Sequence, residues 1–452
     1  MARLDRLGPA REVAQIGSVI GRGFSYGLLR DVAGMEDVVL QAALERLAEA
    51  DILLVQGLPP ESDYRFKHAL IQDAAYENLL KSRRQVLHRR VAEVLLNVGV
   101  PTAAPEPELL AYHFTQAGLN EAAIEWWGKA GRRSLERSAL VEAVSQFTRA
   151  LDQIASLPAT PARRSEQIKL QSALITPLIH VKGYAAPETK AAAEQTRLLI
   201  EQAEAQGETP EDPLLWFSSL YGISVVNLVA FNGDVMRELA EQFSILAEKQ
   251  EATVPIMIGH RLMGHALLMT GEIAKAQAHY SQGLALYDPV EHRPFATRFG
   301  TDISVAILGF RSLALWLLGY PDAALGDADC ALKDAREIGH AATWMHALNH
   351  AAIFAHIHCG NHKAAKAELE ELVVLANEKG APFWKALATI NKGLLLALDG
   401  NESDAIKTFT SGMAAYQSTG ATLYRPQHLS YLASAHAKVG QFEEACAASA
   451  KR

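Results

Sequence analysis

Glycine recurs at Gly271, Gly319, Gly360, Gly400 and Gly440, and each is followed five residues later by an alanine: Ala276, Ala324, Ala365, Ala405 and Ala445. Successive glycines are 48, 41, 40 and 40 residues apart. A nearly fixed period in this range marks stacked helical hairpins rather than one globular core. The physical reason lies in the turn. Glycine ends a helix by reaching positive φ without a Cβ clash, and an alanine at the fifth position lets the second helix of the pair approach the first. Four residues further on the same face often carries an aromatic, as in Ala276 to Tyr280 and Ala405 to Phe409; the set Ala143, Phe147 and Ala150 repeats the logic. Gly118 before Ala123 and Trp127, and Ser138 before Ala143, extend the spacing towards the N-terminus. Between Leu157 and Gly271 prolines interrupt longer helical stretches and Gly233 lacks its alanine, so this part is expected to be helical but irregular.

A chain of 452 residues accommodates such an array plus a smaller domain. Charged residues make up 21% and aromatics 7%, a balance without the charge excess of a disordered chain. The formal charge of −8 argues against a nucleic-acid footprint, which needs clustered Lys and Arg. Cys330, Cys359 and Cys446 are too few and scattered for a disulfide framework, which fits a reducing compartment and suggests the cytoplasm. The N-terminus lacks an apolar signal region, and the longest apolar run, around Gly222 to Phe231, is short of a bilayer span, so no membrane segment is expected.

The first 80 residues read differently. Helical periodicity over Leu4 to Val19, Tyr26 to Val32 and Asp37 to Ala50 precedes two β-rich runs, Ile52 to Val55 and Tyr64 to Phe66, with Gly57, Pro59 and Pro60 between them. Three helices and a β-hairpin point to a winged helix. Its third helix, from Glu36 to Asp51, carries five acids against Arg46 alone, so phosphate repulsion opposes DNA binding. One long helical stretch is expected from Ala69 to about Asn97, bearing Lys81, Arg83, Arg84, His88, Arg89 and Arg90. That cluster reads either as a solvated face on a connecting helix or as a contact for an acidic or nucleotide-bearing neighbour. The Pro-rich stretch from Pro101 to Pro107 then leads into the array, and only seven residues follow Ala445, so the last helix is expected to be short and the C-terminal end to look cut.

No Gly-x-x-x-x-Gly-Lys-Ser/Thr loop, Gly-x-Ser-x-Gly elbow, His-Glu-x-x-His helix or Cys-x-x-Cys pair occurs. The densest polar cluster is His340, His346, His350, His356, His358, Cys359 and His362. Two pairs within it, His346 with His350 and His358 with His362, have the i, i+4 spacing that presents two imidazoles to a metal. The second pair straddles the Gly360 turn and no carboxylate lies nearby in sequence, so no metal is assigned. Instead these histidines line a groove or cap a turn. Trp216, Phe217, Trp316, Trp344 and Trp384 fall on the first helices of hairpins, with Asn349, Lys385 and Asn391 close by. They are either inter-repeat core or anchors for a bound partner. Trp344, His346, Asn349, His350 and Trp384 form the candidate partner-binding set.

The run Phe66-Lys67-His68-Ala69-Leu70-Ile71-Gln72-Asp73-Ala74-Ala75-Tyr76-Glu77-Asn78-Leu79-Leu80, continued by Arg83-Arg84-Gln85-Val86-Leu87-His88, closely resembles bacterial class III adenylate/guanylate cyclases that also carry a STAND-type AAA ATPase and tetratricopeptide-like repeats. Val19-Ile20-Gly21-Arg22-Gly23-Phe24, Leu315 to Asp322 and Gly412 to Ala421 resemble the same family, so the likeness spans nearly the whole chain. It implies a multidomain signalling protein with cyclase, NTPase, winged helix and repeats in that order, of which the last two are present here. Met1 to Gly8 resembles the junction between NTPase and winged helix, so Met1 is expected to be an internal start or a fragment boundary. In STAND ATPases a winged-helix histidine, often within Met-His-Asp, reaches the β-phosphate of bound ADP. Lys67-His68-Ala69 resembles that position, with Ala69 in place of the aspartate, and makes His68 the candidate nucleotide-sensing residue; the alternative is a histidine that ends a wing strand.

The expected architecture is all-α: a right-handed superhelix of tetratricopeptide-like helical hairpins over residues 103–452, a connecting helix and linker over 81–102, and a small winged-helix domain with a β-hairpin over 1–80. The expected role is a non-catalytic regulatory and protein-interaction module. It carries no cofactor, binds a protein or small-molecule ligand in the repeat groove and communicates with an NTPase/cyclase in cis or trans. The alternative is an arm of an ATP-dependent transcriptional regulator, which predicts DNA association.

Overall fold

A computed structural model describes residues 7–58, 60–97, 106–208 and 212–451. The expectations placed on Met1 to Arg6, on Pro59, on residues 98–105 of the Pro-rich stretch and on Pro210 lie outside the described residues. The chain divides into two compact units, Met1–Ala130 with Arg149–Pro158, and Gly131–Thr148 with Ala159–Arg452.

The first unit opens with α1 (Pro9–Ile20), β1 (Gly23–Ser25), α2 (Tyr26–Ala33), α3 (Asp37–Glu49), β2 (Leu53–Gln56) and β3 (Asp63–Phe66). The Ser25 hydroxyl accepts a hydrogen bond from the Leu28 amide and starts α2, which Gly34 ends in the left-handed region. The expected hairpin of β2 and β3 is present and gains a third strand, in the antiparallel order β1-β3-β2. Gly23-Phe24-Ser25 is too short to show alternation in sequence. What seats it is Phe24, whose ring packs on Tyr64 and Phe66. Val13, Leu29, Leu44, Leu47 and Phe66 form the buried centre.

The single helix expected from Ala69 to Asn97 is two helices, α4 (Ala69–Glu77) and α5 (Lys81–Asn97). Asn78 breaks it. Its side-chain amide donates to the Ala74 carbonyl at 2.7 Å, and the Leu79 amide turns back to Tyr76 while its side chain enters the core. The basic cluster divides as well. Arg83 pairs with Glu12 and Arg89 with Glu93 at the surface, Arg84 lies over the Tyr76 ring, and His88 is fully buried. His88 meets Tyr76 on one side and His113 of α6 (Pro107–Ala117) on the other. Burial depresses His88 to about 4 and His113 to about 3.

Helices α7 (Asn120–Glu136) and α8 (Leu140–Ala155) run through both units. The second unit continues with α9 (Pro161–Val181), α10 (Pro187–Ala205), α11 (Leu214–Val229), α12 (Gly233–Gln250), α13 (Thr253–Met269), α14 (Ile273–Ala285), α15 (Pro289–His292), α16 (Ile303–Leu317) and α17 (Pro321–Ile338). After these come α18 (Ala341–His346), a π-helical turn (Ala347–Ile353) and α19 (Phe354–His358), which form one continuous first helix, then α20 (His362–Glu378), α21 (Pro382–Leu398), α22 (Glu402–Ser418), α23 (Arg425–Lys438) and α24 (Phe442–Ala450).

The hairpins are stacked tetratricopeptide-like pairs, and the five repeat glycines all have φ between 81° and 92°. Ala276, Ala324, Ala365 and Ala405 are fully buried, whereas Ala445 is only partly so. A further regularity sits seven residues before three of the turns. An added Cβ at Gly131, Gly264 or Gly393 would fall 2.6, 2.5 and 3.0 Å from the rings of Phe147, Tyr280 and Phe409 respectively. Thus the aromatic of the second helix occupies the space a glycine leaves in the first. Where the turn lacks that aromatic, as at Gly319, the equivalent position is Ser312, whose hydroxyl donates to the Ala324 carbonyl. The stretch expected to be irregular contains an ordinary hairpin, α11 with α12. Its turn is made by Phe231 at φ 51°, a residue type that hides the turn from a glycine count.

The second unit also closes on itself. The Trp384 indole N–H donates to His180 Nδ1 at 3.3 Å, the Thr422 and Leu423 amides donate to the Val229 carbonyl, and the Thr422 hydroxyl donates to Ala230. Gly420 comes so near Ala185 that a Cβ there would lie 2.3 Å from its carbonyl oxygen. The segment from α9 to α11 therefore covers part of the face that the late repeats would otherwise leave open.

Candidate functional site

That closure decides where the candidate residues lie. Trp384 is fully buried, stacked beside His180 and against Tyr184 and Phe383, and His346 is only 3% exposed. Both are buried in this structure: His180 of α9 and Tyr184 of the loop after it cover Trp384, and His346 packs between Phe310, His350 and Trp384. Trp344 is half-buried, and its indole nitrogen has no hydrogen-bond partner. Asn349 and His350 do reach a cleft.

The cleft has a volume of about 100 Å³ and is built from the first helices of successive hairpins, α16, the α18-to-α19 helix, α21 and α23. Apolar walls come from Phe310, Phe354 and Leu394, and polar groups from Asn349, Asn391 and Gln427. The π turn places the neighbours Asn349 and His350 on one cleft, since its wider ring sets adjacent side chains closer around the axis. His350 stacks on Phe310 with centroids 5.1 Å apart, and Asn391 donates to Asn349 Oδ1 at 3.0 Å. This amide pair keeps one carbonyl oxygen, that of Asn391, and N–H groups for a ligand.

The cleft imidazoles are neutral at physiological pH. Burial, helped by the charge of Arg261, lowers His350 to about 3, and burial lowers His428 to about 4. His358 is lowered by burial, opposed by its hydrogen bond to the Phe354 carbonyl. Neutral donors and acceptors over aromatic walls suit binding rather than proton transfer at pH 7.

The rest of the histidine cluster is dispersed. His340 bonds to Thr343, while His356 meets Glu368 at 2.9 Å, a carboxylate that sequence distance concealed. Among the described residues no group of three or more His, Cys, Asp and Glu side chains could hold a metal ion. Nor is any described helix long and apolar enough to cross a membrane. His68 is exposed, in extended conformation immediately before α4, and its side chain caps no amide.

No protein-family model matches the chain. An uncharacterized protein of Rhizobium meliloti (strain 1021) is 30% identical over 359 residues, which are 78% of this chain and 34% of that protein. The chain therefore spans about a third of the length of the curated relative it matches. Among solved structures it is similar to a STAND protein with a tetratricopeptide repeat sensor from Pyrococcus horikoshii, at 11% identity and a TM-score of 0.36, covering 90% of this chain and 63% of that one. It is also similar to a Rap protein complexed with competence and sporulation factor, at 11% identity and a TM-score of 0.48, covering 73% and 96%.

The cleft was only partly legible in sequence. Asn349 and Asn391 stood out by their position near the aromatics of first helices, and His350 by its place in the histidine cluster. Tyr424, Gln427 and Tyr431, which complete it, lie on and just before the Arg425–Lys438 helix and carried no signal beyond a tyrosine two residues short of a proline.

Proposed function

We propose that this chain is the regulatory and ligand-sensing part of a STAND ATPase/adenylate cyclase system. In this reading the repeats hold the ligand, and α1 to α3 with the three strands form a winged helix that relays the bound state to an NTPase. The observation that carries it is the cleft at the π turn. It gathers paired amides, neutral imidazoles and aromatic walls from four first helices, so an occupant there touches several repeats at once. The resemblance of the Phe66 to His88 segment to cyclase-associated STAND proteins supplies the system. His68, exposed at the start of α4, is then free to meet a nucleotide held by a neighbouring domain.

The test is ATP hydrolysis by the longer Rhizobium meliloti relative, assayed intact and with the matched region removed. Removal is expected to change turnover at least threefold, and replacing the histidine equivalent to His68 by alanine to change it in the same direction. Absence of ATP hydrolysis in both proteins would refute the assignment.

A further inference from the structure

Beside the cleft lies a second, smaller chamber of about 30 Å³, and the two share the walls Phe310, His350 and Tyr424. Into this chamber α13 brings Arg261, which is 5% exposed. Its Nε and Nη1 have no hydrogen-bond partner, and among the described residues no carboxylate pairs with it. Other partly buried arginines here are matched. Arg311 grips Asp327 through two bonds of 2.7 Å, and Arg298 lies 2.7 Å from Asp212. The nearest compensation for Arg261 is the face of Tyr221, 5.2 Å from the guanidinium carbon, and a cation–π contact does not replace a counter-ion for a desolvated charge.

Two more buried polar side chains, His346 and Tyr416, line the same chamber. His265 and His346 are held well below the ordinary imidazole range, chiefly by burial, so none of the neighbours supplies a negative charge and none adds a second positive one. An unpaired guanidinium thus lines a small volume whose other polar side chains are neutral, leaving a net positive charge there. A buried charge is stable only when paired, and the chamber provides every element of a pair except the anion.

Size narrows the anion. With about 30 Å³ of free space, the chamber favours a small anionic group. A planar carboxylate suits the parallel N–H donors of a guanidinium and is smaller than a tetrahedral phosphate. The shared aromatic walls then direct whatever carries the carboxylate into the larger cleft.

We propose that Arg261, with His346 and Tyr416, forms a buried site for the carboxylate of a small organic acid whose aromatic or aliphatic body fills the larger cleft. This deepens the sensor reading by naming the chemical class of the ligand, and rests on it. Its test involves no ATPase, so the two fail separately.

The experiment titrates the full chain with benzoate, with benzamide as the neutral isostere and with inorganic phosphate and chloride as competing anions, followed by calorimetry and thermal denaturation. Benzoate is expected to bind and to raise the melting temperature by about 2 °C or more at a hundredfold excess over its Kd, while benzamide, phosphate and chloride leave it unchanged. Arg261→Met is expected to weaken benzoate at least tenfold and to raise the melting temperature of the ligand-free protein, because it removes an unpaired buried charge. A purely structural guanidinium predicts the reverse, a fall in melting temperature with the benzoate response intact. Tyr416→Phe, which removes only one oxygen, is expected to weaken benzoate severalfold without altering ligand-free stability. Equal responses to benzoate and benzamide would overturn the proposal, as would a phosphate response matching that of benzoate.

Discussion

Adding one methyl group at Gly264 should destabilise the protein, although glycine to alanine inside a helix ordinarily does the opposite. The new Cβ would lie 2.5, 2.8 and 2.9 Å from Cε1, Cδ1 and Cζ of Tyr280, so the ring must retreat by about 0.9 Å to reach an ordinary contact of 3.4 Å. It has nowhere to go. Tyr280 is fully buried, its hydroxyl is 3.2 Å from His265 Nδ1, and His265 is wedged against Phe310 at a centroid separation of 4.0 Å. Overpacking of this kind costs about 1–3 kcal/mol, and here, where the ring cannot move aside, the upper part of that range applies; removing a helical glycine returns about 0.8–1 kcal/mol, leaving a net loss of up to about 2 kcal/mol. Gly326 provides the internal comparison. It is exposed within α17, its Cβ would meet nothing within 4 Å, and alanine there should stabilise by about 0.5–1 kcal/mol. Urea unfolding of both variants, followed by far-ultraviolet circular dichroism and by tryptophan fluorescence, reads the difference as a separation of midpoints at constant slope. A Gly264→Ala protein as stable as Gly326→Ala would refute the idea that the glycine is a socket for the aromatic.

Three further outcomes are expected. Asp327→Ala leaves the Arg311 guanidinium without its bidentate partner in a largely buried position, and should cost about 2–4 kcal/mol in urea unfolding; a loss below about 1 kcal/mol would mean that solvent already screens the pair. Gly420→Ala places a Cβ 2.3 Å from the Ala185 carbonyl at a φ of 76°, so limited proteolysis should cut faster around residues 183–186, and an unchanged cleavage rate would contradict the closing contact. Burial holds His180 and His350 at about 3 and His340 and His428 at about 4, against an ordinary 6.5. The unfolded chain therefore binds more protons between these values, and stability that is complete above about pH 6.5 is lost as the pH falls towards 4 and then 3. Melting temperatures measured from pH 7.5 to 4.5 should fall steadily, and a flat profile would show that the imidazoles are solvated.

The repeat was legible because its signal is steric. Positive φ is nearly reserved for glycine, and an alanine every time at the fifth position reflects one recurring close approach. Phe231 makes the same turn without that signature and escaped notice. The glycines seven residues before three turns were readable in principle, since each faces an aromatic sixteen residues on, but a lone helical glycine carries little meaning until the partner ring is known. Trp384 shows a different limit. An aromatic on a first helix is equally consistent with core and groove, and what buries it is His180, 204 residues away in sequence. Likewise Arg261 is one cation in an apolar helix, and only the absence of a paired carboxylate among the described residues gives it significance. The break at Asn78 was missed because the helical pattern resumes in phase after three residues.

The contacts between the Val229-to-Ala230 and Thr422-to-Leu423 segments, and between His180 and Trp384, have a consequence for how such a chain can change over generations. An open solenoid tolerates the gain or loss of a hairpin, since each unit touches only its neighbours. Here a duplicated hairpin between residues 231 and 382 would carry Trp384 away from His180 and Thr422 away from Val229. The copy number in this stretch is therefore fixed by the need to meet the far side, and relatives that share the closure should vary in loop length and surface residues while keeping the same count of hairpins.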